Sequence, residues 1–82
     1  MKAAVMRAPR EALSIEDVSV SKPGPQEVLV RTSAVGVCHS DVHFWDGSFP
    51  YELPTILGHE SAGVVEQVGD MVSHVKPGDH VI

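Results

Sequence analysis

The sequence predicts a mainly β fold, in the form of a partly open barrel of short strands. Several short segments are rich in β-branched or alternating apolar residues, as strands are. Clusters of proline and glycine separate these segments, and only one short stretch has the features of a helix. Short strands divided by turns of this kind are typical of barrels and sandwiches.

Length and composition limit the possible functions. The chain has 82 residues, enough for at most one small domain with a modest core. Hydrophobic residues make up 43% and charged residues 21%, as in a globular protein. The formal net charge of -5 argues against a nucleic-acid partner, because no basic surface is available to meet phosphates. The single cysteine excludes an internal disulfide and favours a reducing, cytoplasmic compartment.

Four segments are predicted as strands. They are residues 2–7, 13–20, 27–37 and 59–68. Turns are predicted at residues 21–26 and 76–79, because proline fixes φ and glycine accepts positive φ. Val81 and Ile82 have the character of an opening strand, and an exposed strand edge favours aggregation. We therefore expect the chain to be a piece of a larger domain.

A short helix and a loop are predicted between the third and fourth strands. Ser40 is the predicted N-cap, Asp41 lies in the first turn, and Gly47 follows the last residue. Residues 49–55 contain two prolines and are predicted as a loop. No apolar run is long enough for a membrane span or a signal peptide.

Reactive side chains are concentrated in two clusters, residues 38–43 and 58–60. Zinc binds thiolate and neutral imidazole, and a helix N-terminus favours the thiolate, so Cys38 and His59 are candidate ligands. Each is equally compatible with a structural role, as a small buried apolar residue or a packed histidine. Two ligands are too few for a zinc site, so the others would have to come from residues beyond Ile82.

The residues around both clusters resemble the zinc-containing alcohol dehydrogenases of the medium-chain dehydrogenase/reductase superfamily. Residues 58–69 match the family pattern GHExxGxxxxxG at every fixed position. Residues 36–43 match the family segment that carries a cysteine, a hydroxyl residue, an aspartate and a histidine in this order. Residues 76–81 match the turn KxGDxV. The similarity extends over essentially the whole chain.

The resemblance implies a GroES-like partly open β-barrel. Residues 1–82 would form the N-terminal portion of this catalytic domain, and the barrel would be incomplete within them. No G-x-G-x-x-G follows a strand, so the Rossmann domain that binds the coenzyme is absent from this chain. The resemblance therefore implies an enzyme, although the 82 residues alone are expected to be inactive.

The resemblance also implies roles for individual residues at the metal. Cys38 and His59 correspond to ligands of the catalytic zinc. Glu60 corresponds to a carboxylate next to the zinc that can approach it during ligand exchange. Asp41 corresponds to the carboxylate that holds the histidine ligand and fixes its tautomer.

Five further residues would serve the reaction itself. Ser40 corresponds to the hydroxyl that hydrogen-bonds the substrate alcohol, and His43 to the outer end of the proton relay. His39 occupies the position that contacts the coenzyme pyrophosphate. Phe49 and Trp45 fall where the family lines its substrate pocket.

The implied function is oxidation of an alcohol to an aldehyde or ketone, and the reverse, with Zn²⁺ and with NAD or NADP as hydride carrier. The implied enzyme is cytoplasmic and homo-oligomeric, acts on a small molecule, and has neither nucleic acid nor membrane as a partner. One alternative is a GroES-like non-enzymatic binding module or co-chaperonin, which leaves both reactive clusters without a purpose. Another is a zinc-free quinone reductase, against which the two ligand motifs argue.

Overall fold

The computed structural model describes residues 1–82 and contains five strands and one helix. In chain order these are β1 (Lys2–Val5), β2 (Ser14–Asp17), β3 (Val28–Gly36), α1 (His39–Asp46), β4 (Glu60–Val68) and β5 (His80–Val81). The strands form one two-stranded and one three-stranded sheet, and neither closes into a barrel. The predicted mainly β class is therefore confirmed. The chain divides into two compact units, residues 1–19 with 37–59 and residues 20–36 with 60–82.

In the first unit, β1 pairs with β2 in antiparallel orientation. Val5 and Met6 are buried there, and Met6 exchanges backbone hydrogen bonds of 2.8 and 3.0 Å with Thr55. Both strands are shorter than predicted. The amide of Val18 donates to the carbonyl of Met1 at 2.8 Å, one residue beyond the ends of both strands.

In the second unit, β4 lies between β3 and β5 in an antiparallel sheet. The two long strands begin and end within one residue of the predicted bounds. Their register shifts between Leu29 and Val30 and again between Thr32 and Ala34, and irregularities of this kind bend a strand and increase its twist. Val65, in the middle of β4, is the buried hydrophobic residue of this sheet, and Gly63 is buried two residues before it.

Gly69 directly follows β4 and is buried where the backbone of residues 24–25 passes over it. A Cβ at this position would collide with the carbonyl oxygens of Gly24 and Pro25. We predict that Gly69→Ala lowers the free energy of unfolding by about 3 kcal/mol, because the backbone must move to admit the methyl group. Urea denaturation of the complete protein measures the loss.

Gly78→Ala is the matched control for this prediction. Gly78 has a φ of 96°, and an added Cβ would meet no atom within 4 Å. Alanine there should cost only the left-handed backbone conformation, about 1 kcal/mol. Equal losses in the two variants would contradict the steric explanation for Gly69.

The helix α1 begins two residues earlier than a Ser40 N-cap would place it. The prediction of Ser40 as the N-cap is therefore wrong. The residue at the cap is Cys38, which has an extended backbone, and its amide donates to the Asp41 carboxylate at 3.0 Å. An acidic side chain three residues after the cap satisfies an amide that the helix leaves without a partner. The end of the helix is as predicted, with Gly47 in the left-handed conformation at φ 87°. This helix, of eight residues, is far too short to cross a bilayer.

Candidate functional site

The candidate site lies in the first unit, around the N-terminal half of α1. Cys38 precedes this helix, and Ser40, Asp41 and His43 lie on its first five residues. After the helix the loop folds back, because the amide of Phe49 donates to the carbonyl of His43 at 3.1 Å. The loop returns along β1 and ends at His59, so the two clusters that are separate in the sequence come together.

One carboxylate, that of Asp41, contacts both predicted zinc ligands. Its Oδ2 accepts the backbone amide of Cys38 at 3.0 Å, and its Oδ1 lies 3.3 Å from Nδ1 of His59. The Asp41 side chain is 12% exposed and the His59 side chain 50% exposed. A carboxylate beside Nδ1 favours the tautomer with its proton on that nitrogen, which puts the lone pair on Nε2. The ring is thus oriented as a metal-binding histidine is.

The donor atoms themselves suit a metal ion. Sγ of Cys38 and a ring nitrogen of His59 lie within 4.8 Å of each other. Zinc bonds thiolate sulfur at about 2.3 Å and imidazole nitrogen at about 2.0–2.1 Å, so one ion holds such a pair at most about 4.4 Å apart, a separation that lies within this limit. Thiolate and imidazole together are a donor set that zinc prefers.

Glu60, also predicted to lie beside the zinc, is the first residue of β4 and belongs to the second unit. It pairs with Gly36 of β3, and its carboxylate lies over that glycine. A Cβ on Gly36 would be only 2.7 Å from Oε1 of Glu60. A side chain larger than hydrogen at Gly36 would therefore displace the Glu60 carboxylate.

The ring of His43 is packed between two other rings. The centroid of the His43 ring lies 4.6 Å from that of the His39 ring, in an edge-to-face arrangement, and 4.9 Å from that of the Phe49 ring. Nδ1 of His43 is buried and has no hydrogen-bond partner. A buried polar atom without a partner costs free energy, and in native structures water or a ligand usually satisfies it. Nδ1 of His43 is therefore a polar atom that an ordered water or a ligand would satisfy.

The two residues predicted for the substrate pocket differ in their surroundings. Phe49 is 46% exposed and packs against His43. The indole of Trp45 instead donates from Nε1 to the carbonyl of Glu11 at 2.8 Å. The structure thus groups Phe49 with the relay histidine and ties Trp45 to a different turn.

Two further aromatic residues near the site, Phe44 and Tyr51, were not predicted. Their ring centroids are 5.6 Å apart, and the Phe44 ring lies 5.5 Å from that of Phe49. They line a cavity of about 190 Å³ that Asp41 and His59 also border. The sequence signal that could have found them is the recurrence of aromatic residues within the segment between the two reactive clusters.

Charge at the C-terminal end of α1 is set by Asp46. Hydrogen bonds from the hydroxyl and the amide of Ser48 lower the pKa of this carboxyl, with smaller contributions from His43 and Arg10. The carboxylate therefore stays ionised at a helix end where negative charge is unfavourable. The Arg10 guanidinium, which donates to the Asp46 carbonyl at 3.1 Å, offsets this charge.

Comparison with known proteins identifies the relatives of this chain. Residues 24–82 match the family model described as the alcohol dehydrogenase GroES-like domain. Human sorbitol dehydrogenase is 49% identical over 73 residues, which cover 84% of this chain and 20% of that protein. The chain thus spans about a fifth of the length of the curated relatives that it matches.

Solved structures give the same result. An alcohol dehydrogenase zinc-binding domain protein from Burkholderia ambifaria matches with a TM-score of 0.96 and 48% identity, over 99% of this chain and 22% of that one. Benzyl alcohol dehydrogenase from Acinetobacter calcoaceticus matches with a TM-score of 0.95 and 36% identity, over the same shares of the two chains. The similarity therefore holds at the level of both sequence and backbone.

Proposed function

This chain belongs to the alcohol dehydrogenase GroES-like domain family, and we propose that it is the N-terminal portion, residues 1–82, of the catalytic domain of a zinc-dependent alcohol dehydrogenase. The complete enzyme would oxidise an alcohol to an aldehyde or ketone, and catalyse the reverse, by hydride transfer to NAD or NADP. The observation that supports this most strongly is the Asp41 carboxylate, which contacts both Cys38 and His59.

Cys38 and His59 would hold the zinc ion, with Glu60 beside it and further ligands from outside this chain. When bound, zinc supplies a Lewis acid that lowers the pKa of an alcohol hydroxyl. Asp41 holds the His59 ring in place and compensates part of the positive charge of the site. The same carboxylate fixes the backbone of Cys38 and so limits the motion of its thiolate.

Ser40 would accept the proton from the alcohol. Its Oγ lies 3.5 Å from Nε2 of His59, directly beside the nitrogen that would face the metal. A hydroxyl can accept one proton while it donates its own. His43, three residues further along α1, would carry that proton to water, because an imidazole ring can take up a proton at one nitrogen and release one from the other.

The nicotinamide coenzyme would supply the hydride acceptor. His39, exposed on the first turn of α1, offers a ring N–H donor for the pyrophosphate close to a helix N-terminus, where anions bind favourably. The buried Nδ1 of His43 lacks a partner, and a polar group of the coenzyme or substrate could satisfy it. Both observations are compatible with a coenzyme that lies along the first turns of α1.

Phe49 and Trp45 are proposed to line the substrate pocket. Because both side chains are aromatic, such a pocket would favour an apolar alcohol. The 46% exposure of Phe49 and the contact of its ring with His43 support this role. The cytoplasmic location and the homo-oligomeric state of the complete enzyme stay predictions.

The proposal is tested on the complete protein by zinc analysis and by alcohol-dependent reduction of NAD and NADP. We expect about one catalytic zinc per chain and turnover with small alcohols. A protein without zinc that reduces quinones would be a quinone reductase. A protein without zinc or any reductase activity would instead be a binding module such as a co-chaperonin. Either result would refute the proposed function.

Asp41→Asn tests the link between the two ligands. Asparagine keeps the size of the side chain, but only its Oδ1 can accept a hydrogen bond, because the second oxygen is replaced by an NH₂ group. Either the amide of Cys38 or the ring of His59 therefore loses its partner. We expect the zinc affinity to fall roughly 10- to 100-fold, as it does when groups that hold ligands are replaced. Competition with a chromogenic chelator measures this affinity.

The control is Asp46→Asn, which removes the same charge from the other end of the same helix. Asp46 contacts Ser48 and neither predicted ligand, so its replacement should leave the zinc affinity within about twofold of the wild type. If both variants lost the same affinity, helix charge and not the Asp41 contacts would be the cause.

A further inference from the structure

The turn of residues 9–11, here called the Arg10 turn, is bonded to the C-terminal end of α1. The Arg10 amide donates to the carbonyl of Trp45 at 2.8 Å, and its Nε donates to the carbonyl of Asp46 at 3.1 Å. In the opposite direction, Nε1 of Trp45 donates to the carbonyl of Glu11 at 2.8 Å. Three hydrogen bonds thus connect residues that are far apart in the chain.

The backbone of Arg10 has an unusual conformation. With a φ of 64°, it is the only residue other than glycine with a positive φ. Glycine adopts this conformation without steric cost, whereas an arginine there is strained. Strain of this kind persists only where surrounding contacts impose it, and it is found at functional sites. In this chain the three hydrogen bonds to α1 are the contacts that hold it.

Apart from the contacts of Asp41, His43 and Phe44 described above, the helix α1 has little that fixes its orientation. It has only eight residues, none of them buried, and isolated helices of this length are unstable in water. The carbonyls of Trp45 and Asp46 are among the last four of the helix, which have no partner within it. The Arg10 turn satisfies both, and its guanidinium is favourable at this end of the helix dipole.

We propose that Arg10 is a positioning residue for the reaction: the Arg10 turn sets the orientation of α1 and thereby the places of Ser40 and His43. This inference rests on the proposed function. Arg10 itself contacts neither ligand nor relay residue, and it acts through the two carbonyls at the end of the helix. A small rotation of so short a helix about its axis would move the Ser40 hydroxyl away from the substrate oxygen.

The test replaces Arg10 in the complete enzyme. Arg10→Gly keeps the turn and its amide, relieves the strained φ and removes the side chain with its guanidinium, so the fold should persist. Arg10→Lys keeps a cation that can donate to the Asp46 carbonyl. Arg7→Gln is the control, because it removes an exposed arginine of the same unit that pairs with Glu16 and not with α1. Steady-state kinetics, zinc content and hydrogen exchange of residues 39–46 are measured for all four proteins.

For Arg10→Gly we expect kcat to fall roughly tenfold, because displacement of a reacting group by a fraction of an ångström is costly. KM and zinc content should stay within about twofold of the wild type, and the amides of α1 should exchange faster. The primary deuterium isotope effect on kcat should increase, since the chemical step becomes slower. Arg10→Lys should recover at least half of the lost kcat, and Arg7→Gln should resemble the wild type.

The inference is overturned if Arg10→Gly keeps kcat within about twofold of the wild type. It is also overturned if kcat and zinc content fall together, if Arg10→Lys is as slow as Arg10→Gly, or if Arg7→Gln is equally slow. A wild-type enzyme without zinc or turnover would refute the proposed function, and this inference with it. If the wild type is active and contains zinc, the proposed function stands, and a negative result with the Arg10 variants refutes only the positioning role of Arg10.

Discussion

Replacement of Cys38 or His59 by alanine is expected to remove the catalytic zinc from the complete enzyme and to abolish turnover. Each substitution deletes one of the two donor atoms that lie within 4.8 Å of each other. The loss of several kcal/mol of Lewis-acid stabilisation corresponds to a decrease in kcat of roughly a thousandfold or more. Metal analysis by mass spectrometry measures the zinc, and coenzyme reduction measures the activity.

Two controls make this expectation specific. Cys38→Ser keeps the size of the side chain but replaces a soft thiolate with a hydroxyl, so zinc should bind much more weakly than in the wild type. His74→Ala removes an exposed histidine of the second unit and should leave the zinc content unchanged. Full zinc occupancy in both Cys38→Ala and His59→Ala would show that the metal site is elsewhere.

Ser40→Ala is the second substitution with a large expected effect, and it should separate catalysis from metal binding. The hydroxyl 3.5 Å from Nε2 of His59 is the proposed first acceptor of the alcohol proton. Without it kcat should fall by about 10²- to 10⁴-fold, the usual contribution of a positioned proton acceptor. The zinc should remain, because Cys38, Asp41 and His59 keep their mutual contacts.

Ser40→Thr is the matched control, since it keeps a hydroxyl at the same position and should retain much of the activity. His43→Gln should cost less than Ser40→Ala, because water can replace the outer end of the relay. Its main effect should be a change in the pH profile of kcat, since the glutamine amide cannot accept and pass on a proton as imidazole can. Turnover of Ser40→Ala close to that of the wild type would exclude Ser40 from the relay.

The sequence by itself determined the local structure and the family. The strands around Val30 and Val65 and the helix end at Gly47 follow from β-branched alternation and from a glycine that accepts positive φ. These preferences act within a few residues, so a short window of sequence contains them. The spacing of Cys38 and His59 within two motifs was sufficient to indicate the family to which the chain belongs.

Only the tertiary structure decided which groups contact each other at the site. The sequence indicated Ser40 as the helix cap, whereas the Asp41 carboxylate caps the amide of Cys38 and reaches His59 as well. The sequence indicated Trp45 for the substrate pocket and gave no reason to single out Arg10. In the structure, Trp45 is hydrogen-bonded to the turn that contains Arg10. The side-chain contacts concerned, Asp41 with His59, Trp45 with Glu11 and Arg10 with Asp46, link residues 18, 34 and 36 positions apart. Contacts at such separations depend on how the whole chain folds back, and no local propensity encodes them.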